Sequence, residues 1–412
     1  MFASELLWYG DENVATSLQY RSIQGRSKEL HYEVDGYYVK PSEWKNFEHG
    51  CISVVNGKEG VEGTRPKMFN ALDKPELKDR VHTLQTIEDF RRIDAALRSS
   101  KTIAIIGEGI LASELAYSIQ RRYRKTGEPK VVQIFEEDDV LHQILPSRLR
   151  EDASKQIFKQ GVRLMNNSTI QSAEAKAGGG IQLLVRRGDG RKEQVDVDHV
   201  IVAIGAEPNV DLAHASDLKL DSKNGGILVD EEFRASSDVF SAGDVSSFND
   251  LKLGRRRIEH VEHAEISGRV AGENMSGGKR TYPRQASWRS TVGPDVHFIG
   301  LGKVDAAMKT VVVAAQKDEV CVSRSIRNSK AVAFYLENDK VVGILLYNVF
   351  EDGILMARKL LSDGVNASQI PELARLFHLY PSDKEQEEEG EQTDAPTDGS
   401  AKGEQEAEKI PI

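Results

Sequence analysis

Apolar runs rich in β-branched residues alternate with amphipathic stretches through the middle of the chain, the pattern of strands and helices taken in turn. Ile103 to Ile106 follows Lys101 as a short continuous apolar run, the length and content of a strand buried on both faces of a parallel sheet. SELAYSIQRRYRK, from Ser113, reads as the helix that follows, and Val131 to Phe135 as the next strand. Upstream, Thr86 to Ser99 sets Ile87, Phe90, Ile93 and Leu97 on one helical face. Downstream the alternation predicts a helix over 146–160, a strand in VRLMNN and a meander across TIQSAEA, IQLLVRR and KEQVDVD, with a tight turn at Gly188-Asp189-Gly190. Val200 to Ile204 is a second continuous apolar strand, and Gly205 closes it. From Gly293 onward VHFIG, TVVVAAQ, KAVAFYLEN and KVVGILLYNV read as strands, with a hairpin turn at Asn338-Asp339 and helices over 351–363 and 368–378. Residues 1–98 are less regular, although LHYEVDGYYVKP and CISVVNG have strand character.

Between the strand at Ile103 and the helix at Ser113 stand Gly107, Gly109 and Ala112, a G-x-G-x-x-A spacing. The first glycine permits a tight turn, the second lets a pyrophosphate approach the backbone, and the small third residue packs helix on strand. Phosphates placed there face the free amides and the positive end of the helix. The strand after that helix ends in Glu136, Glu137, Asp138 and Asp139. A carboxylate at that position accepts ribose hydroxyls and repels a 2′-phosphate, which selects NAD(H) over NADP(H). Gly205 is expected to let the backbone pass close to the same ligand. A doubly wound domain that holds another nucleotide, or none, fits the same elements. Gly57-x-x-Gly60-x-x-Gly63 is not a second such loop: it has no G-x-G pair, and Pro66 stands where a helix would begin.

Two further stretches carry candidate chemistry. A short strand from Val239 ends in Gly243-Asp244, which places a carboxylate at a strand end, suited to sugar or ribityl hydroxyls or to an ordinary turn. From Glu259 a helix runs to Met275 with small residues Ala264, Ser267, Gly268, Ala271 and Gly272. Its His260 and His263 are three apart, not the spacing of a metal-binding H-E-x-x-H, and no metal is expected. Arg255, Arg256 and Arg257 precede it, and Lys279 and Arg280, with Arg284 and Arg289, follow; these cations suit phosphates of DNA or a salt-bridged surface.

Composition narrows the classes. The 412 residues carry a net charge of -10, but residues 381–412 alone hold 11 acids against 3 lysines, so the remainder is nearly neutral. That acidic tail has too little apolar content to fold and is expected to be disordered. No apolar run approaches the length of a membrane helix. The N-terminus lacks the basic amphipathic character of a transit peptide. Cys51 and Cys321 form no C-x-x-C, which excludes electron transfer through a redox dithiol.

Taken together, IIGEGILASEL, VIVAIGAEPNVDLA, VFSAGDVSSFNDLKLGRRRIEHVEHAEISGRVAGENM, SWRSTVGPDV and KVVGILLYNVF resemble the apoptosis-inducing factor family of mitochondrial FAD-dependent NADH oxidoreductases. The resemblance runs from about Thr64 to Tyr380 and implies an α/β, glutathione reductase-like fold. It implies a partial FAD-domain segment over 1–98, an NAD-binding domain over 99–222, the returning half of the FAD domain over 223–290 and a C-terminal α+β dimerisation-type domain over 291–380. By resemblance Gly107, Gly109, Ile110, Glu114, Glu136 and Gly205 line an NAD(H) site. Arg65, Gly243, Asp244, His260 and Trp288 contact FAD, with Glu259 beside the flavin–nicotinamide junction. Trp288 alone reads equally as a core aromatic. Where the family has a Phe that stacks on nicotinamide, this chain has Ile110, which keeps apolar surface and loses stacking.

The family also begins with an FAD-binding βαβ unit bearing its own G-x-G-x-x-G, and residues 1–98 supply none, so weak FAD affinity is expected of a short isoform or incomplete chain. The implied activity is hydride transfer from NADH to flavin and on to oxygen or a quinone-like acceptor, with a role in mitochondrial maintenance and apoptosis. Implied partners are NADH, a second copy on reduction, DNA, and an apoptotic nuclease or mitochondrial import partner. By resemblance the expected location is the mitochondrial intermembrane space, with relocation to the nucleus in apoptosis; the lack of a transit peptide leaves the cytoplasm or nucleus as the alternative. The competing reading is an NAD-binding, pro-apoptotic interaction or DNA-binding module without bound FAD.

Overall fold

The structure, a computed structural model, describes residues 75–314, 330–349 and 352–377 with Leu379, and the backbone of short strands upstream. Arg65, both cysteines and the acidic tail lie outside the described residues. Upstream, Glu33–Val34 pairs antiparallel with Tyr37–Tyr38. β1 (Ile52–Asn56) and β2 (Val61–Gly63) each join strands from much later in the chain.

The central unit is a parallel sheet built by successive crossings through helices. Its strands are β3 (Val81–His82), β4 (Thr102–Ile106), β5 (Lys130–Ile134), β6 (Arg163–Met165) and, returning after the meander, His199–Val202. The order is β3, His199–Val202, β4, β5, β6. Three helices cover one face: α1 (Ile87–Ser99), α2 (Ile110–Arg122) and α3 (Ser147–Lys159). α1 starts at a capping box in which the Thr86 hydroxyl accepts the Asp89 amide at 3.1 Å and the Asp89 carboxylate accepts the Thr86 amide at 2.9 Å. The meander β7 (Ser168–Ala175), β8 (Ile181–Arg187) and β9 (Lys192–Val197) covers the other face. Strand periodicity explains the two-sided core. Ile103 and Ile105 of β4 join the helix-side cluster, whereas Ala104 and Ile106 join the meander-side cluster. The sheet takes its edge strand and α1 from before residue 99, because β3 pairs with the returning strand, now β10 (His199–Val202).

β10 leads through Gly205 into β11 (Ala206–Pro208), which pairs with β2. A second unit then forms around β12 (Val239–Gly243), which runs parallel to β1, with α4 (Val261–Met275) packed beside it. The last unit is an antiparallel sheet of β13 (Ser287–Thr291), β14 (His297–Gly302), β15 (Lys309–Ala314), β16 (Ala331–Glu337) and β17 (Lys340–Tyr347), in the order β13-β14-β17-β16-β15. The β16–β17 hairpin turns at Asn338 and Asp339, both left-handed at φ 51° and 59°. α5 (Asp352–Asp363) and the short helical turns after it cover one face. The expected single helix over 368–378 is broken into 3₁₀ and α turns between Ala367 and Phe377.

The other face of this sheet is buried against the parallel-sheet unit: Phe298, Ala333, Tyr335, Leu345 and Tyr347 share a core with Ile103 and Leu115. Polar links reinforce that join. The Tyr335 hydroxyl donates to the Ile144 carbonyl at 2.6 Å, and the Tyr347 hydroxyl to Asp152 at 2.8 Å.

Candidate functional site

At the carboxyl ends of β4, β5 and β10 the sequence-predicted residues converge. Gly107 is left-handed at φ +126°, and a Cβ there would lie 2.1 Å from the Ala203 carbonyl oxygen, so β10 leaves room only for glycine. The turn is fastened from the next strand: the Gly107 amide donates to Ile134 O at 3.0 Å, and the buried Gln133 amide donates to Gly107 O at 3.0 Å. Gly109 is the N-cap of α2 and has no side chain to occupy the cap. Among the described residues beyond its own helix, no heavy atom lies within 4 Å of where its Cβ would be, so its outer side is open. The first helical bond runs from Ser113 N to Gly109 O at 3.0 Å, which leaves the amides of Ile110, Leu111 and Ala112 without carbonyls inside the helix. Buried Ala112 is the small packing residue. Ile110 is half-buried at the rim, and Glu136 is exposed just past β5. Gly205, at φ +110°, also faces open space, so its backbone angle rather than crowding requires glycine. An exposed carboxylate beside a glycine turn and free helix amides is a set that holds a dinucleotide by pyrophosphate and ribose.

Glu114 departs from its expected place on that cleft. It is fully buried, and its carboxylate accepts the Ser290 hydroxyl at 2.8 Å and the Thr291 amide at 3.1 Å, both on β13. α2 is buried along that side against the C-terminal sheet, so the glutamate ties two units together. Glu108, between the glycines, was not singled out from the sequence. It is buried, and its carboxylate accepts the His142 amide at 2.6 Å. An acidic residue inside a phosphate turn was the signal available.

A second group gathers where β12 ends. Gly243 is left-handed at φ +78°, and its amide donates to Ser267 of α4 at 2.9 Å. Asp244 follows, with its carboxyl pushed up to about 6 by burial and then by Glu259. Arg257 sits between them, donating to Asp244 O at 3.1 Å and pairing with Glu259 at 2.7 Å. His260 is the N-cap of α4: its Nδ1 accepts the Glu262 amide at 3.2 Å, which assigns Nε2 as the protonated nitrogen. That Nε2 is buried and has no partner among the described residues, and burial lowers the ring to about 4. A neutral imidazole with an unused donor next to a raised carboxyl suits a ligand rich in hydroxyls and carbonyls. His263 stays apart from this group, buried beside Phe248 with Nδ1 2.9 Å from the Tyr282 hydroxyl. Among the described residues no group of three or more candidate ligands could hold a metal ion.

Trp288 lies half-buried on β13, opposite Gly300 of β14, and its indole covers that glycine: a Cβ at Gly300 would come 2.3 Å from the ring. It meets Phe298 edge-on at 5.9 Å, so the cross-strand pair fixes the tryptophan whether or not a ligand is present. β13 thereby spans both groups. Ser287 at its start donates its amide to Glu262 of α4 at 2.6 Å, and Ser290 and Thr291 near its end hold Glu114 of α2.

The arginine run is bonded within the protein, with Arg255 exposed and Arg256 and Arg257 half-buried, which fits the salt-bridged alternative rather than a DNA contact. Arg255 donates to the carbonyls of Val229 and Ser247, and Arg256 to Gln285 at 2.7 Å and Gly302 O at 2.8 Å. Arg257 holds Asn224 O at 2.9 Å as well as Asp244 and Glu259. Backbone carbonyls of Asn224, Val229, Asp244, Ser247 and Gly302 take part of the arginines' donor capacity. Arg280 pairs with Glu273 at 3.1 Å, and Lys279 is exposed.

Comparison with known proteins bears on the same residues. The family profile described as pyridine nucleotide-disulphide oxidoreductase matches residues 62–268. The profile described as apoptosis-inducing factor, mitochondrion-associated, C-term, matches 271–331 and 323–363. A putative apoptosis-inducing factor 1, mitochondrial, from Drosophila melanogaster is 30% identical over 92% of this chain and 60% of its own length. Apoptosis-inducing factor 1, mitochondrial, from Dictyostelium discoideum is 30% identical over 82% of this chain and 66% of its own. The chain thus spans less than two thirds of either relative. Among solved structures, the ferredoxin reductase for the CYP199A2 system from Rhodopseudomonas palustris superposes with a TM-score of 0.63 at 21% identity, covering 78% of this chain and 73% of that one. That likeness is one of fold.

Proposed function

Because the chain belongs to the pyridine nucleotide-disulphide oxidoreductase family, in its apoptosis-inducing factor branch, we propose that it is an FAD-dependent NADH oxidoreductase. The observation that carries this reading is β13, which holds Glu114 of α2, the helix that the glycine turn opens, at one end and Glu262 of α4, the helix that His260 caps, at the other. Bound NADH and FAD would supply hydride transfer from nicotinamide to flavin; the chain supplies binding and orientation, with no nucleophile or acid–base pair required.

In the dinucleotide cleft the α2 amides and Gly107–Gly109 would hold the pyrophosphate, and Glu136 the adenosine ribose. Ile110 would give the nicotinamide an apolar wall without aromatic stacking. In the second group Asp244 would accept hydroxyls of the flavin's side chain, the protonated Nε2 of His260 would donate, and Trp288 would close the space from β13. The buried, unpartnered Nε2 and the raised Asp244 carboxyl fit such a ligand better than solvent. Glu259, paired with Arg257, would keep negative charge at the rim.

Oxygen or a quinone-like compound as acceptor, a part in mitochondrial maintenance and apoptosis, and dimerisation on reduction belong to the same proposal. Their support is the resemblance and the names of the two relatives. The second reading, an NAD-binding interaction module without FAD, is favoured by one observation: no G-x-G-x-x-G stands in residues 1–98. The test is reduction of a quinone analogue by purified chain given FAD, with NADH or NADPH as donor. The enzyme reading expects turnover with NADH well above that with NADPH, and a Glu136→Ala variant that narrows the difference. Turnover that ignores both donors would sink it.

A further inference from the structure

Glu108 stands inside the turn that would receive a pyrophosphate, where a negative side chain opposes the charge the turn is suited to bind. The fold holds this residue closely. Its Oε2 accepts the His142 amide at 2.6 Å, and its backbone carbonyl accepts the Leu141 amide at 2.8 Å and the Ser113 hydroxyl at 3.2 Å. Leu141 is fully buried and left-handed at φ 58°, the bend that brings two successive amides onto one glutamate. Segment 138–144 is anchored in turn: Gln143 O accepts the Ala306 amide at 2.8 Å, and Asn166 donates to Asp138 O at 2.8 Å.

The charges facing Glu108 come from that segment and from α3. Glu137 opposes its ionisation and His142 favours it. The His142 ring is 2.7 Å from Asp138, which Arg150 of α3 approaches at 3.1 Å, and Arg150 is 3.9 Å from Asp139. α2 contributes only the Ser113 hydroxyl, and β10 presents backbone at Gly107. Among these bonds no cation pairs directly with the Glu108 carboxylate. Burial first, and then Glu137, raise its pKa from the ordinary 4.5.

Resting on the reading of this cleft as an NAD(H) site, we propose that Glu108 sets dinucleotide affinity by taking up a proton from solvent as the anionic pyrophosphate enters the turn. No bond of the dinucleotide changes; the proton moves from water or buffer to the Glu108 carboxylate. A pyrophosphate adds negative charge beside a carboxylate that burial already disfavours, so the bound state holds the proton more tightly than the free state. By linkage, NADH binding strengthens as pH falls toward the raised Glu108 value, by at most about tenfold per pH unit.

The experiment is calorimetric titration of the full chain with NADH at about pH 6 and about pH 8, in paired buffers of different protonation enthalpy. The wild-type protein is expected to take up a fraction of a proton and to bind more weakly at the higher pH. Glu108→Gln keeps an oxygen for the His142 amide and loses the charge. It should abolish the uptake and bind NADH about tenfold more tightly at the higher pH, the effect of removing one nearby like charge. Should the glutamine distort the turn, Glu108→Ala still loses the uptake, with a lower melting temperature from the lost latch. His142→Gln keeps the uptake. Uptake that persists in Glu108→Gln, or that vanishes only in His142→Gln, overturns the proposal and leaves the NAD(H) site standing. Wild-type protein that binds no NADH removes the reading of the cleft and this proposal with it.

Discussion

The two glycines of the phosphate turn are held for different reasons, and their substitutions separate accordingly. Gly107→Ala sets a Cβ 2.1 Å from Ala203 O at a left-handed φ, so the β4–β10 contact must open. It is expected to lower unfolding free energy by about 3 kcal/mol, read from a urea melt. Gly109→Ala meets no atom within 4 Å, so the fold should survive while NADH affinity drops, read by quenching of NADH fluorescence. Equal losses of stability would contradict this division. The first role, a tight turn, was legible in the spacing of the motif. The second, contact with a neighbouring strand from 96 residues later in the chain, required the sheet order. Asp244 yields a pH prediction. Its carboxyl is raised to about 6 against an ordinary 3.8, so the folded state holds the proton more tightly than the unfolded one. Its contribution is therefore full below 3.8 and is lost as pH rises through about 6. Melting curves of the protein without ligand should show a gain between about pH 7 and pH 5 that Asp244→Asn lacks; identical profiles would remove Asp244 as its source.

At the scale of elements, β13 matters more than its sequence suggested. In the sequence SWRST stands out only through its resemblance to the family, yet one end holds Glu262 of α4 and the other holds Glu114 of α2. Glu114→Ala leaves the buried Ser290 hydroxyl and the half-buried bond of the Thr291 amide without this acceptor. The expected cost is about 2 kcal/mol of stability, with NADH affinity changed less than about twofold because Glu114 is away from the open face. A large loss of affinity with unchanged stability would return Glu114 to the cleft. Helix and strand positions were readable wherever periodicity was strong, as in α1, α2, α3 and the meander. Burial of Glu114 was not, because helical spacing does not reveal which unit a face will meet. The arginine run failed for the same reason: Arg255, Arg256 and Arg257 look like a free cationic patch until the carbonyls around β12 fold over them.

For the whole molecule, the last unit is joined to the parallel-sheet unit through a shared core. The antiparallel sheet is buried on one face by its own helical turns and on the other by the parallel-sheet unit, with Tyr335 and Tyr347 bonded across. One strand, β13, bonds both helices that carry candidate site residues, in a chain that spans less than two thirds of either relative. The proposed activity requires that this arrangement hold flavin and let NADH reduce it. The most direct measurement is an absorption spectrum of the purified chain across 350–500 nm, with added FAD and then with NADH under anaerobic conditions. Flavin bands that stay with the protein through gel filtration and bleach on adding NADH are the expected result. A colourless protein that ignores FAD, or bound flavin that NADH fails to bleach, would contradict it.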